Sequence, residues 1–179
     1  MQLAVETYEK TILKRVQEVN TKVPYVFVFP TYTDIIVMNP QFKSIEDLPF
    51  VKDLQANRFP ITKENAVVTA FVKELPVKRL TKTYIKKFRS QILAELKALH
   101  PDYVIVFGTH FAEILLNDGK IARAKHIAIY SNELNATVVL LHPWKYYRDN
   151  SPMYKQLLQL LPQLCKPAHQ VQIDVKILL

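Results

Sequence analysis

Glycine is almost missing from this chain: Gly108 and Gly119 are the only two in 179 residues. Loops that cradle phosphate need several, because backbone N–H groups must approach the ligand with no Cβ in the way. The P-loop and the dinucleotide-binding fingerprint are therefore excluded. Cysteine is scarcer still. Cys165 stands alone, which excludes an internal disulfide framework, a four-cysteine zinc site and a cysteine-held iron–sulfur cluster. Cys165 follows a helix with Lys166 nearby and no evident base, so it reads as an ordinary thiol. His100, His110, His126 and His169 show no metal-ligand spacing, and no carboxylate joins them in a motif. They read as structural or surface residues, and no metal or other cofactor is expected. Long apolar runs are absent as well, and the opening MQLAVETYEKTILKRV is charged every few residues, unlike a signal peptide. A soluble, cytoplasmic protein with no membrane partner is expected.

What the chain does have is apolar residues and positive charge. Hydrophobic side chains make up 49% of it, enough for a sizeable core and too many for a disordered segment. The formal net charge is +8 and the isoelectric point is near 9.5. An excess of this sign favours nucleic acid or an acidic partner and carries no information about fold.

Along the chain, Tyr8, Ile12, Val16 and Val19 fall at helical spacing over 6–19, predicting an amphipathic N-terminal helix. PYVFVFP (24–30) predicts a strand, and DIIVM (34–38) a second strand or the continuation of a bent one. Ser44 is a candidate N-cap for a short helix that Pro49 bends or delays. NAVVTAFV (65–72) is a buried strand. TKTYIKKFRSQILAELKALH (81–100) is the clearest helix, with Ile85, Phe88, Ile92, Leu96 and Leu99 as its apolar stripe and Pro101 as its stop. DYVIVFG (102–108) is a buried strand, and THFAEILLND a helix closed by Gly119. HIAIY (126–130) and ATVVLL (136–141) are further strands. A final helix starts with Ser151 as N-cap and Pro152 at its first position. The tail QVQIDVKILL (170–179) alternates apolar and polar residues, as an added edge strand does or one donated to a partner.

Strands alternating with helices predict a three-layer α/β/α sandwich around a mostly parallel sheet. Three units follow: residues 1–20 as an amphipathic, partner-binding helix, 21–164 as the α/β domain, and 165–179 as a tail with an added strand. In such sheets ligands sit beyond the carboxyl ends of the strands. Here those ends are Pro30, the 70–76 segment, Gly108-Thr109-His110 and His142-Pro143.

Three stretches, LKALHPDYVIVFGTHFAEILL (96–116), GKIARAKHIAIY (119–130) and TVVLLHPWKYYRDNSPMYKQLLQLLPQL (137–164), together resemble the uracil-DNA glycosylase superfamily. IEDLPFV followed by VVTAFVKELP (68–76) continues the likeness, which covers most of residues 25–164. The resemblance implies a glycosylase-type α/β/α fold. It does not carry the chemistry over. The family's glycine-rich first loop, with the acidic or amide residue that positions water, corresponds here to FVFPTYTD, which has no glycine. Asp34 is the acidic residue on offer and reads as the start of a strand. The family's base-binding Asn corresponds to Ala70, which offers no hydrogen bond. Only His142 matches a catalytic position. With its partners gone it reads as a strand-end histidine bonded to backbone.

A glycosylase-like fold without its chemistry is similar to a second family, the psi subunits of the bacterial DNA polymerase III clamp loader. The likeness lies in segment 30–76, with LPFVKDL as a helix beginning and a strand closing in Leu-Pro, and in the helix start RDNSPMYKQLL. It implies a non-catalytic accessory protein of DNA replication that bridges clamp-loader subunits and a chi-like subunit. Tyr8, Ile12 and Val16 would then face a partner, or pack on the chain's own sheet. The alternatives are a divergent uracil-DNA glycosylase of DNA repair and an inactive glycosylase-fold module that binds DNA.

Two surfaces are candidates for partner or DNA contact. Lys82, Lys86 and Arg89 share a helical face opposite the apolar stripe, where they would neutralise phosphates or simply be solvated. Trp144, Lys145, Tyr146, Tyr147 and Arg148 interleave aromatics with bases, a mixture suited to base stacking or to a protein interface. The bland reading packs Trp144 and one tyrosine on the last helix.

Overall fold

The structure, a computed structural model, describes residues 22–38, 44–74, 77–121 and 125–165. The helix expected over 6–19, with Tyr8, Ile12 and Val16, and the strand expected over 170–179 lie outside the described residues, as does His169.

Among the described residues five strands form the sheet: β1 (Tyr25–Thr31), β2 (Ala66–Val72), β3 (Tyr103–Phe107), β4 (Ile127–Ser131) and β5 (Ala136–Leu141), in the order β2-β1-β3-β5-β4. The first four in that order are parallel, and β4 closes one edge antiparallel to β5. Runs such as YVFVF and YVIVF suit the central strands β1 and β3 because both faces of a parallel sheet are covered.

Among the described residues seven helices flank the sheet: α1 (Tyr32–Met38), α2 (Pro49–Ala56), α3 (Lys82–Lys86), α4 (Arg89–Leu99), α5 (Thr109–Leu116), α6 (Trp144–Arg148) and α7 (Ser151–Leu164). Side-chain alternation sorts the strands into two cores. Phe27, Phe29, Ile105, Phe107 and Val139 meet α1, α2, α6 and α7 on one face. Val26, Val28, Val104, Val106 and Val138 meet α3, α4 and α5 on the other. Helices on both faces make the three layers that the β–α alternation predicts.

Four local expectations change. DIIVM is helical, not a strand. Asp34 sits in the first turn of α1, and its Oδ2 accepts from both the N–H and the hydroxyl of Thr31, each at 3.1 Å. That local closure, together with burial of Tyr32, Ile35 and Ile36, outweighs the β preference of the branched residues. The helix expected over 81–100 is two helices. Lys87 and Phe88 donate to carbonyls three residues back, Tyr84 and Ile85, and this tighter turn interrupts the ladder. Thr81 caps the first piece by accepting from Tyr84 N–H. Helix α5 is closed by Asn117 in the left-handed region, at φ 52°, two residues before Gly119. Helix α7 is capped by Asn150, whose side chain accepts from Met153 N–H, so Ser151 and Pro152 lie inside its first turn. Ser44 does cap, over the 3-10 turn Ile45–Asp47, and Pro49 delays α2 so that it becomes that helix's first residue.

Candidate functional site

Because β1, β3 and β5 run parallel, Thr31, Gly108 and His142 leave the sheet along one edge. A cleft of about 410 Å³ opens there. Pro30, Thr31 and Asp34 line it from the end of β1, His110 and Phe111 from α5, and Pro143, Trp144 and Lys145 from the end of β5. Leu80, Lys82 and Ile85 close the remaining side. Strand β1 leads to β2 on one side of it and borders β3 on the other, so the cleft lies at the turning point of the sheet order, where α/β folds bind ligands. Gly108, at φ 108°, makes the turn into α5. A Cβ there would meet the Phe111 ring at 2.8 Å, so glycine is required for the cleft's shape.

Asp34 is half-buried in this cleft. Burial raises its carboxyl above the ordinary value, while the two Thr31 bonds and the Arg148 charge pull the other way. Asp34, read from sequence as the start of a strand, ends Thr31-Tyr32-Thr33-Asp34, a Ser/Thr-x-x-acid spacing that also occurs at Ser44–Asp47, where both reciprocal capping bonds form; that spacing is the signal the strand reading missed. Lys82 reaches Glu113 Oε1 at 3.2 Å, and His110 Nδ1 lies 3.8 Å from the same carboxylate. The cleft thus holds one carboxylate at its β1 end, with Lys82 of α3 and His110 of α5 among its lining and Glu113 within 4 Å of both.

His142 turns away from the cleft toward a second cluster. Its backbone N–H donates to the Tyr147 hydroxyl at 3.0 Å, and its ring stacks on Tyr146 with centroids 4.1 Å apart. His126 brings Nε2 to 2.8 Å from the same hydroxyl, and its ring meets that of His142 edge-on at 5.3 Å. Burial, then the Lys125 charge, then His126 push His142 down to about 4, so at neutral pH it is uncharged. His126, read from sequence as structural or surface, is joined to this group. Nothing in its spacing signals the contact, which the antiparallel β4–β5 pairing creates.

The carboxyl end of β2 offers no open polar group at Ala70, the position that the expected likeness to the glycosylases sets against an amide. Ala70 is fully buried. One residue earlier Thr69 donates to Glu95 Oε1 at 2.6 Å, and Lys73 Nζ donates to Thr69 and, at 2.9 Å, to Glu95. This charge group is turned into the layer between β2 and α4.

Of the aromatic-basic run, Trp144 is 8% exposed and Tyr147 1%. Trp144 packs edge-on against Phe29, Phe50, Phe107 and Tyr154. A helical turn, α6, sends every third residue inward, so a partner would meet Lys145, Tyr146 and Arg148, the last paired with Asp149. The face expected from Lys82, Lys86 and Arg89 is divided by the break between α3 and α4. Arg89 donates to the carbonyls of Ile114 and Leu115 at the end of α5 and to Glu133 at 3.0 Å, which holds it to the fold. Lys86 is exposed. Cys165 is buried, and burial pushes its thiol well above the ordinary value, as an inert thiol requires. Among the described residues no three His, Cys, Asp or Glu side chains group as a metal site, and no helix is long and apolar enough to cross a membrane.

The chain matches no protein-family model and no curated protein sequence.

Proposed function

We propose that this chain is a non-catalytic accessory protein of DNA replication, similar to the psi subunits of the polymerase III clamp loader, and that it acts by protein contacts. The carrying observation is Ala70: where the glycosylases it resembles bind the base through an amide, this chain places a fully buried methyl group. Two further features support the reading. His142 is uncharged, stacked on Tyr146 and turned from the cleft. Arg89 is committed to α5 and Glu133 rather than to phosphate. Fold alone does not assign a function, so the proposal rests on these positions and on the resemblance.

Asp34 favours a second reading, a divergent glycosylase. A half-buried carboxyl with a raised pKa, at the mouth of a cleft after β1, has the properties of a general base. One pair of measurements separates the two. Purification from the protein's own cells at low salt, followed by mass spectrometry, is expected to return clamp-loader and chi-like proteins in stoichiometric amounts. Uracil release from single- and double-stranded DNA is expected to be absent. Release by the wild-type chain that Asp34→Asn abolishes would instead establish the glycosylase reading.

A further inference from the structure

We propose that His126, Tyr147 and His142 form a proton-sensitive latch that holds α6, and with it the cleft wall made by Trp144 and Lys145, against the sheet. The device stands apart from the function proposed above, because it governs the shape of the cleft whatever meets it.

Hydrogen-bond counting carries the inference. The Tyr147 hydroxyl is buried and has two partners among the described residues. It accepts from the His142 backbone N–H, so its own single proton has one acceptor in reach, His126 Nε2. That bond requires His126 to be neutral with its proton on Nδ1. Protonation of His126 would point an N–H at the hydroxyl. Tyr147 would then face two donors, and its own proton would have no acceptor in the core.

The bond also joins the right pieces. His126 is fixed to β5, since its N–H donates to Leu140 O at 2.7 Å while its backbone takes φ 57°. Tyr147 belongs to α6, whose other buried side chain, Trp144, lines the cleft. Releasing the hydroxyl from His126 removes one of the ties that hold α6 to the sheet edge, beside the His142 N–H bond and the packing of Trp144.

The surrounding charges add to the sensitivity. From the segment before β4, Lys125 acts on both rings, and from the end of β5 His142 lies 5.3 Å from His126. Helix α6 brings Tyr146 onto His142 and carries the exposed Lys145 and Arg148, with Arg148 tied to Asp149. The charges that act on the two imidazoles are of one sign, positive. Burial lowers the pKa of both. An unfolded histidine takes up its proton near 6.5, so the unfolded chain binds more protons below that point. The latch's stabilisation is therefore complete above about pH 6.5 and is lost as pH falls through the lowered value of His126.

The test uses the full chain. Imidazole nitrogen NMR is recorded from pH 8 to 4, alongside fluorescence of Trp144, the one tryptophan, and far-UV circular dichroism. His126 is expected as the neutral Nδ1–H tautomer at pH 6. Trp144 emission is expected to shift between pH 6 and 4 before helical signal is lost. Tyr147→Phe removes the bond, so His126 should titrate closer to 6.5 and the Trp144 step should be lost, with its emission at pH 8 already that of the released helix. His126→Asn, a residue that tolerates positive φ, should weaken the step. An Nε2–H tautomer, or a Trp144 change that coincides with global unfolding and is the same in both variants, would overturn the latch. Should Tyr147→Phe fail to fold, the wild-type tautomer and His126→Asn still decide.

Discussion

Ala70 shows how much one side chain decides. It lies fully buried on β2, in the core shared with Phe27 and Phe50, beside Phe29 of β1 in the register. An amide introduced there is not expected to create chemistry. Ala70→Asn places a polar group and extra volume in a closed layer, and each change costs about 1–3 kcal/mol in protein cores. The variant is expected to lose about 2–5 kcal/mol in urea unfolding and to gain no uracil release. Release of uracil by a stably folded Ala70→Asn chain would show that the position faces the cleft.

Among the elements, those with the plainest patterns were legible: four buried apolar runs became β1, β2, β3 and β5, and HIAIY became the edge strand β4. Helix α1 was not, because Ile35, Ile36 and Val37 look like strand residues until Thr31 and Asp34 are read as a helix start. The break between α3 and α4 was equally hidden. The stripe from Ile85 to Leu99 keeps helical spacing through it, and only the two three-residue-back bonds at Lys87 and Phe88 reveal the tighter turn. Of the candidate site, the sheet edge was readable from strand direction. The partnership of His126 with Tyr147 was not, since it depends on β4 returning antiparallel to β5.

The tie between β2 and α4 yields a prediction at this scale. The side chain of Lys73 is 3% exposed and that of Glu95 15%, so each is poorly solvated without the other. Glu95→Leu takes the carboxylate away from a buried ammonium, leaving it Thr69 and the Tyr32 ring, and is expected to cost about 3–5 kcal/mol. Lys73→Met in the same chain removes that charge, so the double variant should recover most of the loss. A double-mutant cycle by urea denaturation measures the coupling. Additive losses would show that the pair is independently solvated.

For the whole molecule, a net charge of +8 argues for nucleic acid until the bases are placed. Arg89 then proves to be a brace between α4, the end of α5 and Glu133, and Lys82 pairs with Glu113 across the same layer. Phosphate binding would have to break these bonds before it gained from new ones. Duplex DNA is therefore expected to bind only in the non-specific range, with Kd of about 10⁻⁴–10⁻⁶ M at physiological salt. Arg89→Ala removes hydrogen bonds from a charged donor, each worth about 1.5–3 kcal/mol, and should destabilise the fold. It should leave DNA affinity and its salt slope unchanged, because no phosphate contact is lost. Fluorescence anisotropy between 50 and 200 mM salt reads both quantities. A salt slope that drops by about one unit in Arg89→Ala, with the fold intact, would mean that the guanidinium leaves Glu133 for DNA. The chain's positive charge would then belong to a DNA-binding face rather than to a protein-contact one.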